Sequence, residues 1–270
     1  MPGKEPVEYL YDGSYEGLLC CVYESVYGRE QPVAILAAAE AEPSLFSRRE
    51  VCTDPAKAAR VQASIPQKIC PEAAELVRDT FFSCIAGREL LILRFLLLGY
   101  RLGKAAYLRL SHPAVSPLYA AQRRLLNEAH QFLQFLRFSD VNGVLVAKIA
   151  PGGFVLPYLA SHFCSRYAIE EFLIYDTTHG AALVWQDKQA RIIPLERLEL
   201  PPVTPDEARM RALWRKFYDT IAIEARRNPR CRMNHCPKRY WGNMTEFSKE
   251  DPYESAVPAF RAPRRGLPGG

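Results

Sequence analysis

The sequence predicts an α+β fold with a helix-rich N-terminal part, a small antiparallel sheet and a long C-terminal helix. Apolar residues recur every three or four positions over 55–64, 72–86 and 88–103, which indicates amphipathic helices. After Phe138 the pattern changes to short strand-like segments, and helical spacing returns after Thr204. Apolar residues make up 49% and charged residues 24% of the 270 positions, as in folded soluble proteins.

The first elements are defined by turn and capping residues. Tyr9-Leu10-Tyr11 predicts a strand, and Asp12-Gly13-Ser14 predicts a turn in which Ser14 caps a helix that ends near Tyr27. A second strand is expected within 48–53. Asp54-Pro55 then supplies the N-cap and the first residue of the next helix.

A further helix is predicted to begin at Ser116-Pro117. One apolar stripe along it contains Leu118, Ala121, Leu125, Ala129, Phe132 and Leu136. Four strands are expected beyond Phe138, namely 144–149, 172–175, 181–185 and 190–193, with a short helix at 156–166. The short spacing of the last three strands favours an antiparallel meander.

The C-terminal helix is indicated by Thr204-Pro205-Asp206-Glu207, a capping box with proline at the first helical position. Its apolar positions are Met210, Leu213, Trp214, Phe217, Tyr218 and Ile221. Because they share one face, we expect that face to be buried against the sheet or the helical block.

Domain organisation follows from the lack of a low-complexity linker and of internal repeats. We predict a single α+β domain over 8–247 with two subdomains, 8–138 and 139–247. Residues 248–270 are rich in proline and glycine and lack periodicity, so we expect a disordered tail. No apolar run reaches the roughly 20 residues that span a bilayer, so we expect a cytoplasmic protein without membrane contact.

A basic segment, residues 226–239, follows the long helix. No acidic residue lies between Glu224 and Glu246. Arginine binds phosphate oxygens and aromatic rings stack on unpaired bases, so this segment predicts nucleic-acid binding. The predicted contacts are Arg226, Arg227, Arg230, Lys238 and Arg239 on phosphates and Tyr240 or Trp241 on a base. A solvated helix end that complements the helix dipole is the alternative interpretation.

Three polar residues are candidates for catalysis. Asp12 lies where a strand passes into a helix, and Asp176 and His179 lie three residues apart in a turn between strands. Such an acid–base pair can act on a substrate when it faces a cleft, although polar turn residues more often only satisfy the turn. Cys231, His235 and Cys236 lack the spacing of a familiar zinc site, so we predict no metal and no cofactor. Because the chain is large and begins without a signal peptide, we expect its thiols to be reduced.

Several motifs together resemble a bacterial family. They are the opening Tyr11-Asp12-Gly13-Ser14-Tyr15-Glu16-Gly17-Leu18-Leu19-Cys20, the central 132–138, and the closing Arg226-Arg227-Asn228-Pro229 and Cys236-Pro237-Lys238-Arg239-Tyr240-Trp241. The chain resembles, over about residues 8–247, probable DNA metabolism or putative DNA repair proteins.

The resemblance implies a role beside DNA. Members of that family are encoded next to a putative DNA modification or repair radical SAM protein, and some are fused to a uracil-DNA glycosylase superfamily domain. This sequence has no C-x₃-C-x₂-C motif, so any iron–sulfur chemistry would belong to the partner. Two functions stay open: a DNA-binding accessory protein for the radical SAM enzyme, or a base-directed repair enzyme acting on a flipped nucleotide.

Overall fold

The structure is a computed structural model that describes residues 6–226 and 228–247. The α+β class is confirmed. The strands are β1 Val7–Tyr11, β2 Ala34–Ala37, β3 Ser47–Glu50, β4 Ser139–Val141, β5 Val144–Ile149, β6 Phe172–Asp176, β7 Ala181–Gln186 and β8 Gln189–Pro194. The α-helices are α1 Tyr15–Gly28, α2 Pro55–Lys68, α3 Pro71–Phe82, α4 Arg88–Leu102, α5 Lys104–Tyr107, α6 Ser116–Phe135, α7 Leu156–Arg166, α8 Pro205–Ile221 and α9 Pro229–His235.

The chain divides into two compact units. The described part of unit 1 covers residues 6–129 and 152–155, and that of unit 2 covers 130–151, 156–226 and 228–247. The division falls within α6, earlier than the predicted boundary at 138. The prediction that both parts form one domain stays a prediction. The expected disordered tail, 248–270, lies outside the described residues.

Unit 1 contains a parallel sheet that the sequence did not predict. Its strand order is β2-β1-β3, and both pairings of β1 are parallel. α1 begins after β1, and Ser14 caps it by accepting a hydrogen bond from the Gly17 amide at 2.9 Å, as predicted. Asp54 likewise caps α2. The core combines residues of β1 with the apolar faces of α1 to α4.

Unit 2 contains a five-stranded sheet of order β4-β5-β6-β7-β8. The meander β6-β7-β8 is antiparallel, as predicted. The sheet as a whole is mixed rather than antiparallel, because β5 and β6 are parallel. Parallel neighbours need a crossover, and α7 lies between these two strands in the chain.

The long helix α8 has the predicted cap, since the Thr204 hydroxyl accepts from the Glu207 amide. The prediction of a buried stripe was wrong. Among the described side chains of α8 only Ala208 is buried, whereas Met210, Leu213, Trp214, Phe217 and Ile221 are exposed. Periodicity identified an apolar face but could not show whether another element covers it.

No described helix is long and apolar enough to cross a lipid bilayer.

Candidate nucleic-acid interface

The predicted phosphate contacts lie on three short elements of unit 2. Arg226 ends the 3-10 helix Glu224–Arg226, Arg230 lies in α9, and Lys238 and Arg239 begin the 3-10 helix Lys238–Asn243. The side chains of all four are exposed. Arg227 lies outside the described residues. The exposed positions are compatible with contacts to a polyanion.

Tyr240 has a different environment from the predicted one. It is only 4% exposed, and its ring meets Phe132 edge-on at 5.0 Å between centroids. Phe135 packs beside it, and Arg239 donates a hydrogen bond to its hydroxyl at 2.6 Å. A base could not stack on this ring without opening the packing, so the predicted stacking role of Tyr240 is corrected to a structural one.

Trp241 is half-buried and is also engaged within the protein. Its ring stacks on Phe247 with centroids 4.5 Å apart, and the guanidinium of Arg232 lies 5.0 Å from its centroid. The indole N–H donates to the Cys236 carbonyl at 3.0 Å. Trp241 therefore helps to pack the C-terminal segment rather than presenting an open platform.

Unit 2 contains a groove that the sequence did not predict. Its volume is about 680 Å³, and α6, α7 and α8 contribute to its lining, so we call it the arginine groove. Its charged or titratable lining residues are Arg137, Arg166, Arg211, His162 and Glu207. Its aromatic lining residues are Phe138, Phe163, Tyr167 and Trp214. Ligand sites usually measure about 300–1,000 Å³, so the groove has the capacity for a small ligand or a nucleotide.

Two of the groove arginines are held by carboxylates, one buried and one half-buried. Arg137 pairs with Glu246 at 2.8 Å, and Arg211 pairs with Glu207 at 2.8 Å and also donates to the Ser139 hydroxyl at 2.6 Å. These contacts fix the guanidinium groups at the groove wall. A pre-positioned guanidinium loses little freedom when it binds an anion.

Arg166 is held differently. It is exposed at the end of α7, and its guanidinium lies 5.8 Å from the centroid of the Tyr167 ring. Within the part of the chain that the structure describes, no carboxylate pairs with it. Arg166 therefore contributes an uncompensated positive charge to the groove.

A second cavity of about 210 Å³ shares Arg137, Arg211 and Thr245 with the arginine groove. It adds Lys148 and Arg215 to the positive lining. Two neighbouring cavities with this lining form a basic track, and Thr245 links the track to the C-terminal segment that carries Lys238 and Arg239.

Trp214 combines an accessible ring with a fixed orientation. It is 41% exposed, and its indole N–H donates to the Glu246 carboxylate at 3.2 Å. The guanidinium of Arg137 lies 5.9 Å from its centroid. One buried carboxylate thus orients both Arg137 and Trp214.

Asp176 and His179 form the predicted pair. Asp176 is fully buried at the end of β6, and its Oδ2 lies 2.7 Å from Nδ1 of the partly exposed His179. The other oxygen of Asp176 accepts from the amides of Thr178 and His179. The pair could serve acid–base chemistry, but these contacts also account for Asp176 as the cap of its turn.

Asp12 lies in unit 1 and is described apart from that pair. Its carboxylate accepts from the Ser14 amide and hydroxyl and from the Thr53 hydroxyl, at 2.7 to 2.9 Å. Partial burial opposes its ionisation, but these hydrogen bonds outweigh burial and lower the pKa of Asp12. The contacts tie the loop after β1 to the loop after β3.

The thiols show no metal-site geometry in the described residues. Cys236 is buried with its sulfur 3.7 Å from that of Met244, and burial raises the pKa of its thiol. Cys231 is exposed. Within 6–226 and 228–247, no group of three His, Cys, Asp or Glu side chains is placed to hold a metal ion.

Sequence reasoning missed the arginine groove because its residues come from distant segments. Arg137 belongs to the central motif and Trp214 to the stripe of α8, yet neither pattern indicates that they meet. The one signal in the sequence was that the apolar face of α8 could be exposed instead of buried. The interleaving of Arg211 and Arg215 with Trp214 is unusual for a face buried in a core.

The sequence of this region also matches a known protein family. The model of the family described as "Domain of unknown function (DUF4130)" matches residues 86–246, which is more than half of the chain. The protein therefore belongs to the DUF4130 family. No curated protein and no solved structure matches the chain. The match covers the whole of α6 to α9 and with them the arginine groove.

Proposed function

We propose that this protein is a DNA-binding accessory protein in DNA repair or modification that works with a radical SAM partner enzyme. The observation that carries the proposal is the lining of the arginine groove, where Arg166 adds a positive charge beside Arg137 and Arg211, which are paired with Glu246 and Glu207. The resemblance of the sequence motifs supports the choice of pathway and partner in this proposal. The exposed cations of the C-terminal segment extend the surface available to phosphates.

The charges favour binding through the DNA backbone. Each phosphate that a guanidinium neutralises releases condensed counterions, so affinity depends strongly on salt. Arg226, Arg230 and Arg239 are exposed and belong to no strand or long helix, so replacing them should not unfold unit 2. They are the safest residues with which to measure this contribution.

The test is the salt dependence of DNA binding in a variant carrying Arg226→Gln, Arg230→Gln and Arg239→Gln. We expect weaker binding to every sequence and a log–log salt slope reduced by about 0.9 for each duplex phosphate that is no longer neutralised. The matched control is Arg94→Gln, Arg101→Gln and Arg109→Gln, which removes the same charge from exposed positions of unit 1. Equal effects of the two triple variants would argue against a specific surface on unit 2.

The Asp176–His179 pair supports a second candidate, a base-directed enzyme. A buried carboxylate that orients a partly exposed imidazole is the arrangement expected of a general base. We favour the accessory function because the contacts of Asp176 are explained by its turn. Neither residue lines the arginine groove, so the pair and the groove can be tested separately.

The two candidates differ in what the isolated protein does. Oligonucleotides carrying uracil or oxidised, alkylated or ultraviolet-damaged bases are incubated with the protein alone and then with the radical SAM partner, and base loss or mass change is followed by mass spectrometry. We expect no conversion by the protein alone. Turnover by the protein alone that disappears in folded Asp176→Asn and His179→Ala variants would establish the enzyme instead.

A further inference from the structure

The arginine groove combines two kinds of surface that single-stranded nucleic acid requires. Its guanidinium groups bring positive charge to phosphate oxygens, and the exposed ring of Trp214 offers a face for an unpaired base. A duplex hides the faces of its bases in the stack, so it cannot use the second kind of surface. The combination distinguishes the groove from the exposed cations of the C-terminal segment, which are accompanied by rings that pack within the protein.

Trp214 has the properties of a stacking platform. It lines the groove and remains 41% exposed, while the hydrogen bond from its indole nitrogen to Glu246 restrains the orientation of its ring. An aromatic ring held in place loses little entropy when a base stacks on it. Tyr240 is buried and Trp241 is half-buried and stacked on Phe247, so Trp214 is better placed for the role that the sequence suggested for them.

The cations around Trp214 are distributed along a path. Arg166 stands at the end of α7, Arg137 and Arg211 form the wall shared by the two cavities, and Lys148 and Arg215 line the second cavity. Successive phosphates of one strand could follow this path while a base enters the larger cavity. The charge on this path and the exposed ring of Trp214 together favour an anionic strand with exposed bases as the occupant.

We infer that the arginine groove binds an unpaired nucleotide of single-stranded DNA, with the base stacked on Trp214 and the adjoining phosphates on Arg166 and the arginines of the shared wall. This inference rests on the proposed DNA-binding function and deepens it. It specifies the form of the nucleic acid and the residue that contacts the base. The protein would then present unpaired or extruded bases rather than bind duplex DNA uniformly.

The test compares three probes of about 12 nucleotides, a length within the site sizes of single-strand binding domains. They are a labelled single strand, the same sequence as a duplex, and a strand of the same length in which every base is absent. We expect the base-bearing single strand to bind about 5- to 150-fold more tightly than the abasic strand, the range for one stacked base. The duplex should not bind more tightly than the single strand.

Variants locate the effect within the groove. Trp214→Ala should bring the affinity for the base-bearing strand down to that for the abasic strand, and Trp214→Phe should restore much of the difference. Leu213→Ala, which removes a neighbouring exposed side chain of α8, should leave the difference between the two strands intact.

Arg166→Gln, at an exposed position, should weaken binding of both single strands and lower the salt slope by about 0.7. It provides a test that does not depend on the folding of the Trp214 variants.

The outcomes separate the two levels of the proposal. Failure of all three probes to bind would overturn the DNA-binding function and the inference with it. Equal binding of base-bearing and abasic strands, or preference for the duplex, would overturn the inference alone and leave the DNA-binding function standing. Equal competition by poly-glutamate of similar charge would also overturn the inference, because it would show an anion site without base recognition.

Discussion

The Arg137 guanidinium and the Glu246 carboxylate form an ion pair at 2.8 Å between residues 109 positions apart. The side chain of Glu246 is only 3% exposed, and its second oxygen accepts from the indole N–H of Trp214. A single carboxylate of the C-terminal segment therefore connects the residues that follow α6 with the middle of α8. Its removal should affect stability and the shape of the groove together.

We expect Glu246→Ala to lower the free energy of unfolding by about 1.5–3 kcal/mol, because it leaves Arg137 and Trp214 without their shared acceptor. Urea denaturation measures the change. Glu199→Ala is the control, since the Arg197–Glu199 pair is 82% and 75% exposed, and it should cost less than about 1 kcal/mol. Similar losses of stability in both variants would show that the Arg137–Glu246 pair is no stronger than a surface contact.

Glu24 should make stability depend on pH in the acid range. A hydrogen bond from Lys57 is the main cause that lowers the pKa of Glu24, and Arg49 adds to it. A carboxyl whose folded pKa is depressed stabilises the protein above its ordinary pKa of 4.5 and loses that contribution as pH falls through the folded value. The stability difference between wild type and Glu24→Gln should therefore be constant above 4.5 and shrink below it.

The measurement is urea unfolding of both proteins at several pH values from about 6 to about 3. Comparison with Glu24→Gln removes the titration of all other carboxyls from the result. A difference that stays constant or grows as pH falls would contradict the assigned contacts.

Gly17 should not tolerate a side chain. A Cβ at this position would overlap the Asp12 carboxylate and lie 2.9 Å from the Thr53 hydroxyl oxygen. We expect Gly17→Ala to destabilise the protein by about 1–3 kcal/mol, because the loop after β1 must shift. Gly28→Ala in the same helix, where the nearest atom would be 3.9 Å away, should be near neutral in thermal unfolding. A neutral Gly17→Ala would mean that the loop is not tied as described.

Tyr240 should behave as a core residue. Truncation to alanine removes a buried ring from Phe132 and Phe135, so Tyr240→Ala should cost about 3–5 kcal/mol. Tyr240→Phe keeps the ring and removes the hydroxyl that accepts a hydrogen bond from Arg239, so it should cost about 0.5–1.5 kcal/mol. Phe217→Ala on the exposed face of α8 should change stability by less than about 1 kcal/mol in the same denaturation assay. A stable Tyr240→Ala variant with impaired DNA binding would instead restore the stacking role.

Local chemistry allowed several elements to be predicted. Ser14, Asp54 and Thr204 cap α1, α2 and α8 as expected, because a cap depends only on residues up to three positions away. The meander from β6 to β8 was also predictable, since short turns force neighbouring strands to pair.

Longer-range relationships were not predictable in the same way. β1 pairs with β2 and β3. A strand was expected within 48–53, where β3 lies in part, but Ala34–Ala37 carries little strand signal of its own. Their pairing depends on the crossover that α1 provides rather than on local alternation. The arginine groove likewise depends on contacts between α6, α7 and α8 that no single segment encodes.

The division of the chain into units bears on how the protein is made. Residues 152–155 belong to unit 1, where the Gly152 and Gly153 amides donate to the Glu128 carboxylate. A nascent chain therefore cannot complete unit 1 until β4 and β5, which belong to unit 2, have already left the ribosome. Unit 2 cannot be complete until Tyr240 and Glu246 have been synthesised. Truncation before these residues would leave Phe132 without the ring of Tyr240 and Arg137 without the carboxylate of Glu246.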